Sequence, residues 1–492
     1  MNIFDFRDQL IDNYSQYVTS FIQIRDSKIK GHVEQELSDG VLWPDPLMQL
    51  NPAFEQGGLV DDFVNNGLLH NECKKIFRRK IDPDDPGRPL RLYKHQVDAI
   101  HAAKKGHSYI LTTGTGSGKS LAYIIPIVDH VLQKGTGHGI QAIIVYPMNA
   151  LANSQSEELT KYLCYGYPEQ KGPVTFQRYT GQDSDEIRNL IIATPPDILL
   201  TNYVMLELLL TRPYERQLIQ SAQGLRFLVL DELHTYRGRQ GADVAMLVRR
   251  VRDIVDSSNL QCVGTSATIA GTGTHDEQKV EVAKVTSKLF GSQVFPENVI
   301  TETIRRITPL RNLNDPTFVS ELTQRISDTG RIAPSDYQGF VNDPLSIWLE
   351  DTFGIRKEPG TDRLIRTQPL SITGQDGAAD RLSKLTGVSL NQCARAIQEG
   401  LLAGYISEKD PETDSPPFAF RLHQFISRGS TVYASIDTER YITTNGQQYV
   451  PGDRNRVLFP LAFCRECGQE YYTVWMSKPG YRQTYILTTS ID

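Results

Sequence analysis

Between about residues 90 and 295 the chain alternates short apolar runs with longer amphipathic stretches. The runs are SYILTT, AIIVYP, TFQRYT, DILLTN, FLVLDE and CVGTSAT. A strand that is apolar on both faces has to be covered on both, and helices between successive strands do this. The pattern therefore predicts a parallel sheet sandwiched by helices. The flanks read differently. Apolar positions recur at helical spacing from Phe4 to Phe21, and residues 1–85 predict a helical segment closing on the turn-rich IDPDDPGRP of 81–89. Residues 301–417 are charged amphipathic segments, predicting a mostly helical insert in which Trp348 and Tyr405 serve as core anchors. From 418 strand-like runs return (TVYASI, RVLFPLAF, QEYYTVWM, TYILTT), predicting a β-rich module over 418–492 that breaks off at the last residue. The expected class is α/β, with the parallel-sheet lobe at 86–300.

Composition narrows this picture. The 492 residues are enough for about three domains. With 39% hydrophobic and 22% charged residues, a mainly disordered chain is excluded. There is no run of about 18 apolar residues and no apolar signal core, so neither a membrane partner nor secretion is expected. Six cysteines are too sparse for a disulfide scaffold, which points to reduced thiols in the cytoplasm. Acids outnumber bases 58 to 52, a net charge of −6. That excludes a globally basic nucleic-acid binder and leaves room for a local basic groove.

Two motifs bring chemistry. Residues 113–120 read Thr113-Gly114-Thr115-Gly116-Ser117-Gly118-Lys119-Ser120, between a strand-like run and the helix-like LAYIIPIVDHVLQ. A glycine-rich turn in that setting converges backbone N–H groups on phosphate oxygens, and the helix N-terminus adds positive potential. Lys119 is placed to reach the β- and γ-phosphates, and the Ser120 hydroxyl to ligate Mg²⁺. The full pattern has glycine where Thr113 stands. The second motif is Phe227–His234, four apolar residues ending in Asp231-Glu232. Beside a phosphate loop, Asp231 would hold Mg²⁺ and Glu232 would act as general base on the attacking water.

With these motifs in order, residues 90–270 resemble the first RecA-like lobe of a superfamily 2 DExH-box helicase. Arg91–Gln96 resembles the Q-motif, which implies that Gln96 reads the adenine edge and Tyr93 packs on the base. Pro147 and Asn149, in YPMNAL, resemble motif Ia, although Met148 and Asn149 replace the usual threonine and cation. Thr180 and Gly181 resemble motif Ib. Ala193–Asp197 and then Thr201 and Asn202 resemble later loops facing nucleic acid. Gly264–Thr268 resembles motif III, where Ser266 and Thr268 would couple the acid box to the strand-binding side; His234 either joins that coupling or caps the following turn. The resemblance implies a RecA-like P-loop fold, ATP and Mg²⁺ as ligands, and a nucleic-acid partner, DNA ahead of RNA. The run at 234–245 and the N-terminal LNPAFEQGGLVDDF further resemble large bacterial helicases, several of which occur in anti-phage defence systems or beside a conserved C-terminal domain of unknown function.

Such motors use a second RecA-like lobe, whose arginine fingers lie in a pattern close to Q-x-x-G-R-x-G-R. Residues 300–492 carry no such run. The second lobe is therefore expected in cis or in trans, and the chain alone is expected to turn ATP over poorly. Cys464 and Cys467, in CRECG, supply half of a tetrahedral zinc site. Two readings stay open: Zn²⁺ with further ligands from elsewhere, or two thiols beside a turn.

Overall fold

The computed structural model describes residues 2–20, 23–114, 116–236, 238–257, 259–267, 273–328, 333–427, 431–478 and 481–488, with side chains described through Val474. The chain separates into two compact units, 53–305 and a discontinuous unit formed by 1–52 with 306–492.

The 53–305 unit is built on a seven-stranded parallel sheet. Its spatial order is Val299–Thr301, Tyr109–Thr112, Gln261–Ser266, Phe227–Leu230, Ala142–Tyr146, Ile198–Asn202, Phe176–Arg178. All six expected strands are present. The seventh, Val299–Thr301, spans three residues, too few for the apolar pattern to reveal. The central strands are buried along their whole length, which explains their uninterrupted apolar runs. Helices cover both faces, producing one core around Tyr109, Ile144 and Val229 and another around Ile143, Leu199 and Leu228.

Two details show how sequence sets this geometry. Helix Leu121–Lys134 contains Pro126, which has no N–H to give Ala122 four residues back. The Tyr109 hydroxyl donates to that carbonyl at 3.0 Å instead, so the first strand of the sheet repairs the helix that follows the phosphate loop. The turn-rich 81–89 segment, expected as a boundary, lies inside this unit. Its arms close into a two-stranded ladder, Arg78–Arg79 against Arg88–Pro89.

The discontinuous unit contains the expected N-terminal helices, Ile3–Ser20 and Ser27–Ser38. The chain then turns extended: Leu47–Asn51 pairs with Ala419–His423 on one side and Leu370–Ser371 on the other. Helices Pro316–Ser327, Pro344–Leu349 and Leu390–Ile406 pack a core around Phe318, Trp348 and Leu401. Trp348 is a core anchor as expected. Tyr405 is not: it lies 65% exposed, because the helical register puts Leu401 and Gly404 inward and leaves Tyr405 outside. The β-rich module is antiparallel, running through Tyr433–Ser435, Asp453–Phe463, Glu470–Lys478 and Tyr481–Thr488. Among the described residues, no helix is long and apolar enough to cross a membrane.

Candidate nucleotide site

Strands Tyr109–Thr112, Gln261–Ser266 and Phe227–Leu230 are neighbours, so their carboxyl ends bring residues 113–114, 116–120, 264–267 and 231–234 to one edge. Open α/β sheets place ligands at such an edge. The loop is held from several sides. The buried Thr113 has its hydroxyl 2.7 Å from Ser117 Oγ and its N–H on the Ser266 carbonyl at 3.2 Å. Gln96 donates to the Gly118 carbonyl at 2.8 Å and accepts the Tyr93 N–H at 2.8 Å. His95 Nε2 lies 2.8 Å from the Ser117 carbonyl, and burial lowers the imidazole pKa, so a neutral ring donates there. Tyr93 stacks on His95 and leans on Phe54, with centroid separations of 5.6 and 5.0 Å. Gly118 needs to be glycine twice over: φ is +68°, and a Cβ would come 2.6 Å from Gln96 Nε2. Gly116 is also left-handed, and the Gly114 N–H donates to Glu302 Oε2 at 2.9 Å. Thr115 lies outside the described residues.

The acid box faces this loop. Glu232 sits in the left-handed region (φ +51°, ψ +52°), a costly conformation for a residue with a side chain. One hydroxyl supports it. Thr265 Oγ1 accepts the Glu232 N–H at 3.0 Å and donates to Asp231 Oδ1 at 2.6 Å. Burial, followed by the neighbouring Glu232 charge, pushes the Asp231 pKa upward against that hydrogen bond and the Lys119 cation. Lys119 Nζ pairs with Glu232 Oε1 at 3.0 Å. His234 Nδ1 is 3.1 Å from Glu232 Oε2 and 3.4 Å from the Ala267 N–H, so the ring stands between the acid pair and the 264–267 segment. Thr268 lies outside the described residues. Behind Asp231, buried Tyr123 and Tyr146 have pKa values raised by burial first and by the Asp231 charge among the lesser causes.

The donor set expected for Mg²⁺ fits a hard divalent cation: the Ser120 hydroxyl and the Asp231 carboxylate supply only oxygen. Glu232 Oε2 is a buried oxygen that receives no hydrogen bond, although His234 Nδ1, itself the acceptor of the Ala267 N–H, lies 3.1 Å away.

The other half of the same edge holds the residues resembling nucleic-acid motifs. Thr201 is buried and its hydroxyl donates to the Tyr179 carbonyl at 2.8 Å. Thr180 is buried too; its N–H and hydroxyl donate to Asp183 at 2.7 and 2.9 Å, and Arg178 pairs with that carboxylate. Asn202 donates to Asn149 Oδ1 at 2.6 Å and accepts the Met205 N–H at 2.8 Å, capping helix Tyr203–Thr211. Pro147 and Asn149 are half-buried, and Gly181 is exposed, with nothing within 4 Å of an added Cβ. Asp197 differs from these. It begins strand Ile198–Asn202 at the opposite edge, where its carboxylate accepts from Gly137 and Thr175, so it does not face the motif loops.

Sequence reasoning missed Thr265, His95, Phe54 and Glu302. Thr265 sat next to the residues chosen for coupling, and strand periodicity could have ranked it against Ser266. Phe54 and Glu302 reach the site through pairings distant in sequence, which leave no local signal.

Cys464 and Cys467 flank a turn whose Cys464 N–H donates to Gln469 and whose Gly468 N–H returns to Cys464. Backbone N–H groups of Cys467 and Glu466 lower the Cys464 thiol pKa. Among the described residues no group of three or more His, Cys, Asp or Glu could hold a metal ion.

Residues 93–276 match the DEAD/DEAH box helicase family. The ATP-dependent helicase YprA of Bacillus subtilis is 34% identical over 181 residues, 36% of this chain and 23% of the relative. The Druantia protein DruE of Escherichia coli is 24% identical over 383 residues, 54% of this chain and 20% of that protein. A crystal structure of the DUF1998 helicase MrfA bound to DNA is similar with a TM-score of 0.40 and 23% identity, covering 60% of this chain and 38% of the other. The chain thus spans about a quarter or less of the length of these two curated relatives. With its phosphate loop, acid box and bridging threonine gathered at one sheet edge, the chain carries a DEAD/DEAH box helicase domain.

Proposed function

We propose that the 53–305 unit is the ATP-binding lobe of a nucleic-acid-dependent helicase or translocase, completed by a second RecA-like lobe in cis or in trans. The observation that carries this is the meeting of Lys119 with a Thr265-bridged acid pair at 3.0 Å or less. In this reading Lys119 exchanges Glu232 for the terminal phosphates of ATP. Glu232, released, accepts a proton from the attacking water, while Thr265 keeps Asp231 and the Glu232 backbone in register. Mg²⁺ bound by Ser120 and Asp231 would neutralise phosphate charge. His234, between Glu232 and Ala267, would pass the state of the acid pair toward the strand-binding half. Because Thr180 and Thr201 already spend their hydroxyls internally, the strand contacts would come from Pro147, Asn149, Gly181 and the exposed backbone around them. The resemblance at 234–245 favours a setting in phage defence.

A second reading is a nucleotide- or DNA-binding module without turnover. Lys119 committed to Glu232, and Gly114 committed to Glu302, favour it, since both partners compete with phosphate. Turnover with a second lobe and nucleic acid supplied separates the two. The first reading expects a rise of about 10³–10⁵ over the chain alone, the scale of an arginine finger, and a fall of about 10²–10⁴ for Glu232→Gln with ATP binding retained. Unchanged turnover in both comparisons supports the second.

A further inference from the structure

Away from the motif loops, the 53–305 unit concentrates positive charge. Five of the seven residues 74–80 are basic in a chain whose net charge is −6. Lys74, Lys75, Arg78 and Lys80, with Asn71, Pro86 and Gly166, line a recess of about 450 Å³, and no lining residue is acidic. The recess lies at the C-terminal end of helix Asn149–Leu163, since Lys80 Nζ donates to the carbonyls of Tyr162 and Tyr165 at 2.9 and 2.8 Å. That helix begins at the carboxyl edge, beside Pro147, and its 15 residues carry the chain about 22 Å to the opposite edge.

The cations are unequally committed. Arg78 is structural: it donates to the Lys74 and Gly87 carbonyls and reaches Asp61 at 3.4 Å. Lys75 sits 4.0 Å over the Tyr167 ring, whose hydroxyl is held by Glu72. Lys74 has no side-chain partner among the described residues. Lys80 is the informative one. It is only 9% exposed, and its ammonium has two carbonyl acceptors and the Tyr167 ring at 5.7 Å but no carboxylate in ion-pair range. Buried ammonium groups are ordinarily paired. Burial, then Lys75 and Arg78, push its pKa down to about 8. The nearby acids are engaged in their own turn: Asp85 accepts the N–H groups of Ile81 and Gly87, and Asp82 that of Asp84. Of the four lining cations, Arg78 alone is paired with a carboxylate, that of Asp61, so the recess keeps lysines without a carboxylate partner among the described residues.

We propose that this recess is a second docking point for nucleic-acid backbone, taking a phosphodiester on Lys74, Lys75 and Lys80 at the edge of the sheet opposite the motif loops. The inference rests on reading the chain as a nucleic-acid motor and adds to it a fixed anchor away from the ATP-gated edge. Lysines suit this role, because they meet phosphates as point charges without reading bases.

The test is binding of a fluorescent single-stranded oligonucleotide and a fluorescent duplex to the 492-residue chain over a salt series. Lys74→Gln/Lys75→Gln is expected to weaken binding of at least one probe about tenfold, whatever its sequence. The slope of log affinity against log salt should shrink by about 1.5, the release of two counterions. Binding of an ATP analogue should stay as in the parent, and that readout with the thermal midpoint shows the variant folded. Parent-like affinity and slope in the variant overturn the recess and leave the motor reading standing. A parent chain that binds the ATP analogue but neither probe overturns both. Orthophosphate at constant ionic strength separates a free-anion site from a backbone site: competition at the same phosphate concentration as the oligonucleotide overturns the proposal, and failure to compete supports it.

Discussion

The two halves of one sheet edge are built by opposite means. At the nucleotide half, charges are placed beside one another and left partly unsatisfied: Lys119 shares Glu232, Asp231 is pushed upward by burial, and Glu232 Oε2 receives no hydrogen bond. At the half that holds the motif-like loops nearly every side-chain group is neutral or spent. Thr201, Thr180 and Asn202 donate within the fold, and Arg178 is paired with Asp183. Under the proposed function the contrast matches what each half would hold. A phosphate chain bearing several charges needs unsatisfied charge in return. In the proposed motor, a strand that slides would need a rigid, shaped rim whose contacts come from backbone and small residues.

Lys119→Ala should break the contrast most strongly. Loss of one charge-assisted contact, about 1.5–3 kcal/mol, predicts a fall of about 10- to 100-fold in ATP-analogue affinity by titration calorimetry. Oligonucleotide affinity in the absence of nucleotide should move little. Next comes Thr265→Val, which strips a buried carboxylate of its donor and a left-handed residue of its support. Urea unfolding should register a loss of about 1–3 kcal/mol. The matched change across the edge is Thr201→Val. It removes a single neutral hydrogen bond, so about 1 kcal/mol is expected, with ATP-analogue affinity unaltered. Equal effects of the two threonines on nucleotide binding would erase the distinction drawn here.

The smallest expected effect is in pH dependence. Burial raises Asp231 above the ordinary carboxyl value of about 3.9. The folded chain therefore keeps this proton to higher pH than the unfolded chain does. The group's contribution to stability falls as pH rises from about 3.9 through the raised folded value. Asp231→Asn can still accept from Thr265 and removes the titration, so its stability relative to the parent should improve from acid to neutral pH. Urea midpoints that stay parallel across that range would contradict the burial argument.

What was legible follows from locality. The central strands are apolar throughout because both faces are buried, and the phosphate loop and acid box are contiguous runs, so both could be read directly. Pairings distant in sequence could not be. Leu47–Asn51 lies between strands some 320 and 370 residues away, by the registers Met48–Leu370 and Asn51–Ala419. Its alternation of buried and half-buried positions is too short to stand out from the helices around it. Glu302 reaches Gly114 only because Val299–Thr301 pairs beside Tyr109–Thr112. Tyr405 misled because an aromatic residue near the end of an amphipathic helix looks like core until the register is known.

A crystal structure of the chain with Mg²⁺ and a nonhydrolysable ATP analogue tests the central claim most directly. The account predicts the terminal phosphate on Lys119 Nζ, the Lys119–Glu232 pair parted, and Thr265 still joining Asp231 to the Glu232 backbone. An analogue bound elsewhere, with Lys119 still on Glu232, would contradict it.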